Sequence, residues 1–343
     1  MPSFVYIRDH SCHSWQAFSF SCGSFFLMMT LGGCAALVPQ TMALREAWPT
    51  GVPQQFEVGA VPFFPQRDYQ CGPAALATTL AHSGVGITPD DLVDQVYLPA
   101  RQGSLRVEML AAARRYGRVS YQIAPRYADL LREVAAGNPV IVLQDNGSDA
   151  TPLWHYAVVV GFDYAAGDVI LRSGETRRHV IPFTQLEHTW KKSAYWAMVA
   201  MPPERVAATA TEENYLTAVM AMARVAAPRA SVVAYQTFLD RWPGNLTAGI
   251  ALANLLYAQG DLVGTEAVLR QAAQYHPDAV IVLNNLAQTL SDRGQHDEAR
   301  RLIERAAAMT AIADSPYAAT VRETREHIRL RSPDERSVIR EGW

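Results

Sequence analysis

The sequence predicts an α+β domain over residues 58–203 followed by an all-α repeat domain over residues 212–330. Three observations carry that prediction. Within residues 58–203, helical patterns come first and strand patterns follow, the order of an α+β fold. From Glu212 onward the pattern is wholly helical, and Pro243 and Pro277 stand 34 residues apart, a period that belongs to repeat architectures. At 343 residues the chain is long enough to bury two cores.

Composition excludes several classes of function. The formal net charge is −3, charged residues are 18% of the chain, and no Lys/Arg stripe runs along it, so nucleic acid is not an expected partner. No Gly-rich loop ends in Gly-Lys-Ser/Thr, so no ATPase site is expected. No His/Cys/Glu cluster has zinc-like spacing, so neither a metal nor a cofactor is expected. No stretch reaches the roughly 18–20 apolar residues of a transmembrane helix.

The first 33 residues read as a signal peptide. The short run Phe25–Leu31 has the length of a signal h-region, and small residues follow it. Leu31-Gly32-Gly33-Cys34 resembles the lipobox of bacterial lipoproteins, which implies acylation of Cys34 and an outer-membrane lipoprotein facing the periplasm. The alternative is an apolar N-terminal helix without export. Of the four cysteines, Cys12 and Cys22 would leave with the signal and Cys34 would carry lipid, so Cys71 would be the one free thiol. Residues 34–57 show little periodicity and read as a tether.

The stretch from Val61 to Leu80 holds the chemistry. An apolar, Pro-bounded segment runs up to Gln70-Cys71-Gly72-Pro73, and Ala74, Ala75, Leu76, Ala77 and Leu80 then continue as a helix closed by Gly84. Cys71 therefore stands at a helix N-terminus, where free backbone N–H groups favour an anion, so the local pattern predicts a lowered thiol pKa and a nucleophile. The bland alternative is a buried cysteine acting as a small apolar residue. Helices are predicted from Thr88, over Ser104–Tyr116 and over Tyr127–Ala136, with a strand over Val119–Ile123 between the last two. Strands are predicted over Pro139–Leu143, Tyr156–Phe162, Asp168–Leu171, His179–Ile181 and Ala194–Met201, with turns at Gln144–Gly147 and Asp163–Gly167 and a short helix over Pro182–Trp190. Asp163 and Asp168 read as turn residues, His179 and His188 as surface or satisfied core histidines, and Trp154 as a packing residue.

Gln66…Gln70-Cys71-Gly72-Pro73-Ala74-Ala75, together with Trp154-His155-Tyr156-Ala157-Val158-Val159, resembles the bacteriocin-processing cysteine peptidases, papain-like enzymes that remove double-glycine leaders and have stand-alone relatives. The resemblance spans about residues 58 to 203. It implies a papain-like fold, Cys71 as nucleophile, His155 as base and Gln66 as oxyanion donor. The Gln-to-Cys spacing of five is shorter than the family's usual one, so Gln70 or a backbone N–H is a candidate to share the oxyanion role. Where the family places a carboxylate to orient the histidine, this chain reads Ile170-Leu171-Arg172-Ser173-Gly174, which leaves Ser173, a backbone carbonyl or no orienter at all.

Residues 204–211 read as an Ala/Thr-rich linker. Beyond it, Leu252, Ala253, Leu256, Gly260 and Ala272 occupy the apolar and turn positions of a tetratricopeptide repeat. Leu283, Leu286, Ala287, Leu290, Gly294, Ala299, Ile303 and Ala306 repeat them more cleanly, and Glu212–Pro243 fits a degraded earlier copy. Tyr317–Leu330 reads as a capping helix and residues 331–343 as a loose tail. The function expected is an exported, lipid-anchored cysteine peptidase whose repeats recruit a peptide substrate or a protein partner. The alternative is a catalytically weak or inactive peptide-binding scaffold.

Overall fold

The computed structural model describes residues 38–67, 69–312 and 315–331. The signal peptide, Cys34 and residues 332–343 lie outside the described residues. The described chain forms two compact units, one reaching to Ala234 and the other starting at Tyr235. No described helix is long and apolar enough to cross a membrane.

The first unit is built on an antiparallel sheet. Its strands are β1 (Gln55–Glu57), β4 (Val119–Gln122), β5 (Val140–Asp145), β6 (Trp154–Asp163), β7 (Asp168–Ser173), β8 (Thr176–Pro182) and β9 (Ala197–Met201). They run in the order β4-β9-β5-β6-β7-β8, with β1 pairing the far end of β6. β2 (Tyr97–Leu98) and β3 (Gly103–Ser104) form a separate two-stranded ribbon. Ten of the twelve residues of α2 (Cys71–His82) are buried, as its nearly all-apolar sequence requires, and Leu76 and Leu80 are wholly enclosed. Each contributes about 1.5–3 kcal/mol of burial. β6 bends at a register shift between Val159 and Gly161, and a Cβ on Gly161 would lie 2.8 Å from the Phe56 carbonyl oxygen, so glycine lets β1 close in.

Residues expected as a tether are part of the domain. α1 (Pro39–Glu46) has no side-chain cap of its own. The buried Glu187 carboxylate supplies one from a distance, accepting the Gln40 N–H at 2.8 Å and the Thr41 N–H at 2.6 Å. Trp48 then packs on Phe162, Tyr164 and Phe183. The linker at 204–211 is docked too: buried Glu133 accepts from the Ala208 and Thr209 N–H groups and the Thr209 hydroxyl. α7 (Glu212–Ala223), expected as part of a degraded repeat, packs its Tyr215 edge-on against Tyr121 of β4. The local pattern of either segment does not reveal this docking, because the partners lie far away in sequence. Strand β5 also runs through Gln144 and Asp145, which the local pattern assigns to a turn.

The second unit stacks α9 (Leu246–Ala258), α10 (Leu262–Tyr275), α11 (Val280–Asp292) and α12 (His296–Ile312), closed by α13 (Ala318–Arg331). α8 (Pro228–Arg241) precedes them. Gly260 and Gly294 end α9 and α11 at φ +79°, a backbone that glycine adopts without a Cβ clash. Asn245 and Asp261 cap α9 and α10 through the Ala248 and Gly264 N–H groups. Leu283, Leu286, Ala287, Leu290, Ala299, Ile303 and Ala306 form one core with Leu269 and Ala272. The capping helix is present, with Val321 and Ile328 fully buried and Arg325 and Arg329 paired to Glu304 and Glu326 at the surface.

Candidate active site

Cys71 is the first residue of α2, and the chain reaches it through a left-handed Tyr69 at φ +60°. A non-glycine residue held there costs roughly 1–2 kcal/mol, strain stored next to the reactive position. Gly72 is required by space: a Cβ there would lie 2.1 Å from Ser104 Oγ and 2.6 Å from Ser104 Cβ. The ribbon carrying Ser104 therefore rests directly on the first turn of α2.

His155 is the second residue of β6, and Ser173 the last of β7, at the end of the hairpin away from its turn. His155 Nε2 lies 2.8 Å from Ser173 Oγ. That contact occupies one ring nitrogen and leaves Nδ1 as the free one. The backbone N–H groups of Tyr156, the residue after His155, and of Gly72 and Cys71 act on the Cys71 thiol and favour its anion. Cys71 and His155 line the same cleft of about 1,080 Å³. Gln66 lines it as well, and its N–H donates to the Gly174 carbonyl at 3.0 Å, which ties the approach segment to the β7–β8 turn beside Ser173. Gln66 lines the cleft with Cys71, and Gln70 does not.

The electrostatics differ from the local expectation. Burial pushes the Cys71 thiol above its ordinary value, and the three backbone N–H donors only partly offset it. The helix N-terminus was expected to lower it; enclosure of the sulfur outweighs the donors. Burial also lowers His155 to about 4, with nearby His179 acting in the same direction. At neutral pH the pair therefore rests as thiol and neutral imidazole. Burial likewise raises the Tyr156 phenol, whose hydroxyl donates to the Ser104 carbonyl at 3.3 Å.

Asp163 and Asp168 pair across the opposite end of the hairpin, and Asp163 Oδ1 accepts the Ala166 N–H at 3.0 Å. Eight residues of strand, about 26 Å, separate Asp163 from His155. His179 and His188 are exposed. Trp154, expected to pack, is 47% exposed and forms part of the cleft wall. Among the described residues no group of His, Cys, Asp or Glu is placed to hold a metal ion.

Sequence reasoning missed what shapes the cleft walls. Asp145, read as a turn residue, is buried at the end of β5 and accepts the Gly147 N–H at 2.9 Å and the Leu153 N–H at 2.7 Å. Lys192 donates to the Gly147 carbonyl at 2.7 Å. Together they fold the 146–153 loop so that Leu153 and Trp154 face the cleft. The Asp-Asn-Gly run signalled a turn, but not that its acid holds the following loop.

Residues 58–198 match the model of the "Peptidase_C39 like family", and residues 256–321 match that of the tetratricopeptide repeat. The chain carries a C39-like peptidase domain followed by tetratricopeptide repeats. Among solved structures, a Bacillus anthracis protein described as a C39-like peptidase aligns at 15% identity with a TM-score of 0.38, covering 45% of this chain and 100% of its own. No curated protein matches the chain. Within the C39-like domain, Cys71, His155 and Gln66 line one cleft, and a serine hydroxyl stands at the imidazole where the family has a carboxylate.

Proposed function

We propose that this chain is a cysteine peptidase, exported and held to the outer membrane by lipid on Cys34, whose repeats recruit a peptide substrate or a protein partner. The observation that carries the peptidase reading is the hydrogen bond between His155 Nε2 and Ser173 Oγ, in a cleft that Cys71 also lines. The Cys71 sulfur attacks a peptide carbonyl carbon as its proton passes to His155 Nδ1. The Cys71 N–H and the Gln66 side chain hold the oxyanion. His155 then returns the proton to the leaving amine as the C–N bond breaks, leaving a thioester. Water, deprotonated by His155, hydrolyses the thioester and restores the thiol. Because both groups rest neutral, the proton moves during attack and no standing ion pair is needed.

A second reading, a peptide-holding cleft without turnover, is favoured by the raised thiol and by the absence, among the described residues, of a carboxylate bonded to His155. Turnover of a peptide library by wild type and Cys71→Ala, with a thiol-directed probe on both, separates the two. Turnover and labelling that depend on Cys71 support the enzyme; equal turnover in both proteins, or an unlabelled Cys71, defeats it. Export and anchoring rest on Leu31-Gly32-Gly33-Cys34. Metabolic labelling with a fatty-acid analogue, lost in Cys34→Ser, tests them.

A further inference from the structure

The walls of the cleft differ in chemistry. One wall is the β2–β3 ribbon and the start of α4 (Arg106–Arg115). It carries Arg101, Gln102 and Arg106. Arg101 ends a short 3-10 turn, and left-handed Gln102 at φ +47° fixes the bend after it. Arg106 opens α4, a position where the helix dipole favours an acid and disfavours a cation. Neither arginine forms an ion pair among the described residues, whereas Arg67, also on the cleft, is tied to Asp90 at 2.9 Å. Glu175 is the one acid among the described residues lining the cleft, in a chain whose net charge is −3. The charge of Arg106 acts on the Tyr156 phenol, and both residues line the cleft that also holds Cys71.

A second part of the lining is apolar. Leu153, at the end of the loop that Asp145 and Lys192 hold in shape, is 61% exposed, and Trp154, which opens β6, is 47% exposed. Large apolar side chains left open on a built loop beside a cleft mark a contact surface. The volume of about 1,080 Å³ lies just above the roughly 300–1,000 Å³ of small-molecule sites and suits several residues of an extended peptide.

We propose that the cleft selects peptides in which an acidic residue lies beside a large apolar one, the carboxylate held by Arg101 and Arg106 and the apolar side chain by Leu153 and Trp154. This deepens the peptidase reading and rests on it for the claim of cleavage. An unpaired guanidinium gains a charge-assisted hydrogen bond when a carboxylate arrives, while a neutral or basic peptide leaves both cations unpaired.

The test uses Cys71 as its own reporter. Alkylation rates of the full chain by anionic iodoacetate and neutral iodoacetamide are compared at pH 9 in wild type, the Arg101→Gln/Arg106→Gln double variant and Arg106→Lys. The expected iodoacetate-to-iodoacetamide ratio is about tenfold higher in wild type than in the double variant at low salt, collapses at high salt and persists in Arg106→Lys. Equal ratios in wild type and the double variant overturn the proposal and leave the peptidase reading standing. Failure of both reagents to label wild-type Cys71 removes the open cleft and overturns it as well. A charge preference without any Cys71-dependent turnover ends the peptidase reading and leaves a cleft for acidic peptides. Among peptides that are cleaved, exchanging the acid for its amide raises KM about tenfold in wild type and leaves the double variant unchanged.

Discussion

The two ends of the β6–β7 hairpin hold similar polar inventories and do different things. At the turn end, Asp163 and Asp168 face each other, and Asp163 satisfies the backbone of its own turn. At the open end, His155 and Ser173 meet at 2.8 Å over a cleft that also receives Cys71. The carboxylates lie on the same two strands as the histidine, yet the hydroxyl is the group at the imidazole. Strand length decides this, because ten residues of β6 carry the acids beyond any reach of the ring. A catalytic orienter is therefore found by register and not by the chemical strength of the nearest candidate.

The comparison breaks most visibly at the nucleophile and base. Cys71→Ala and His155→Ala are each expected to lower kcat/KM by about 10³-fold or more, measured on whichever library peptide wild type cleaves fastest. Next comes the packing that sets the sulfur's place. Gly72→Ala forces Ser104 and the first turn of α2 apart, with an expected loss of about 1–3 kcal/mol in urea unfolding and a parallel loss of Cys71 labelling. A Gly72→Ala protein of unchanged stability would show that the ribbon yields freely.

The third effect is a pH dependence with a defined sign. His155 falls from an ordinary value near 6.5 to about 4 in the fold, so the unfolded chain binds more protons between those values. Its contribution to stability is complete above about pH 6.5 and is lost as pH falls through about 4, up to roughly 3 kcal/mol in all. Unfolding measured at pH 7 and pH 4, in wild type and His155→Gln, reads that term, and the variant is expected to show a shallower fall. The smaller effects belong to the hairpin ends. Ser173→Ala removes one hydrogen bond of about 0.5–1.5 kcal/mol and is expected to cost about threefold to tenfold in kcat. Asp163→Asn and Asp168→Asn are expected to leave kcat/KM within about twofold, because neither reaches the ring; a tenfold loss in either would require a path from the turn to the site.

Much of this arrangement is visible in the chain itself. The Pro and Gly spacing marks the repeats because each copy is held by local caps and turns, such as Asn245, Asp261, Gly260 and Gly294. Cys71 at a helix start and His155 at a strand start are likewise local facts. What local pattern does not reveal is held by distant groups. α1 depends on Glu187, a separation of 146 residues at Thr41, and β1 exists only because β6 offers it an edge. α7 has an apolar face that suits a repeat or a sheet equally, and only the presence of Tyr121 decides. The thiol pKa fails for the same reason: a helix N-terminus is legible in sequence, and the walls that enclose the sulfur are not.

The central claim is that Ser173 holds His155 by Nε2 so that a neutral Nδ1 faces the thiol as base. Nitrogen-detected NMR of the His155 ring across a pH titration tests it directly. The account predicts the Nε2–H tautomer at neutral pH, titrating near 4 and losing its tautomer preference in Ser173→Ala. A ring that carries its proton on Nδ1 at neutral pH, or that titrates near 6.5 as a free histidine does, would contradict it.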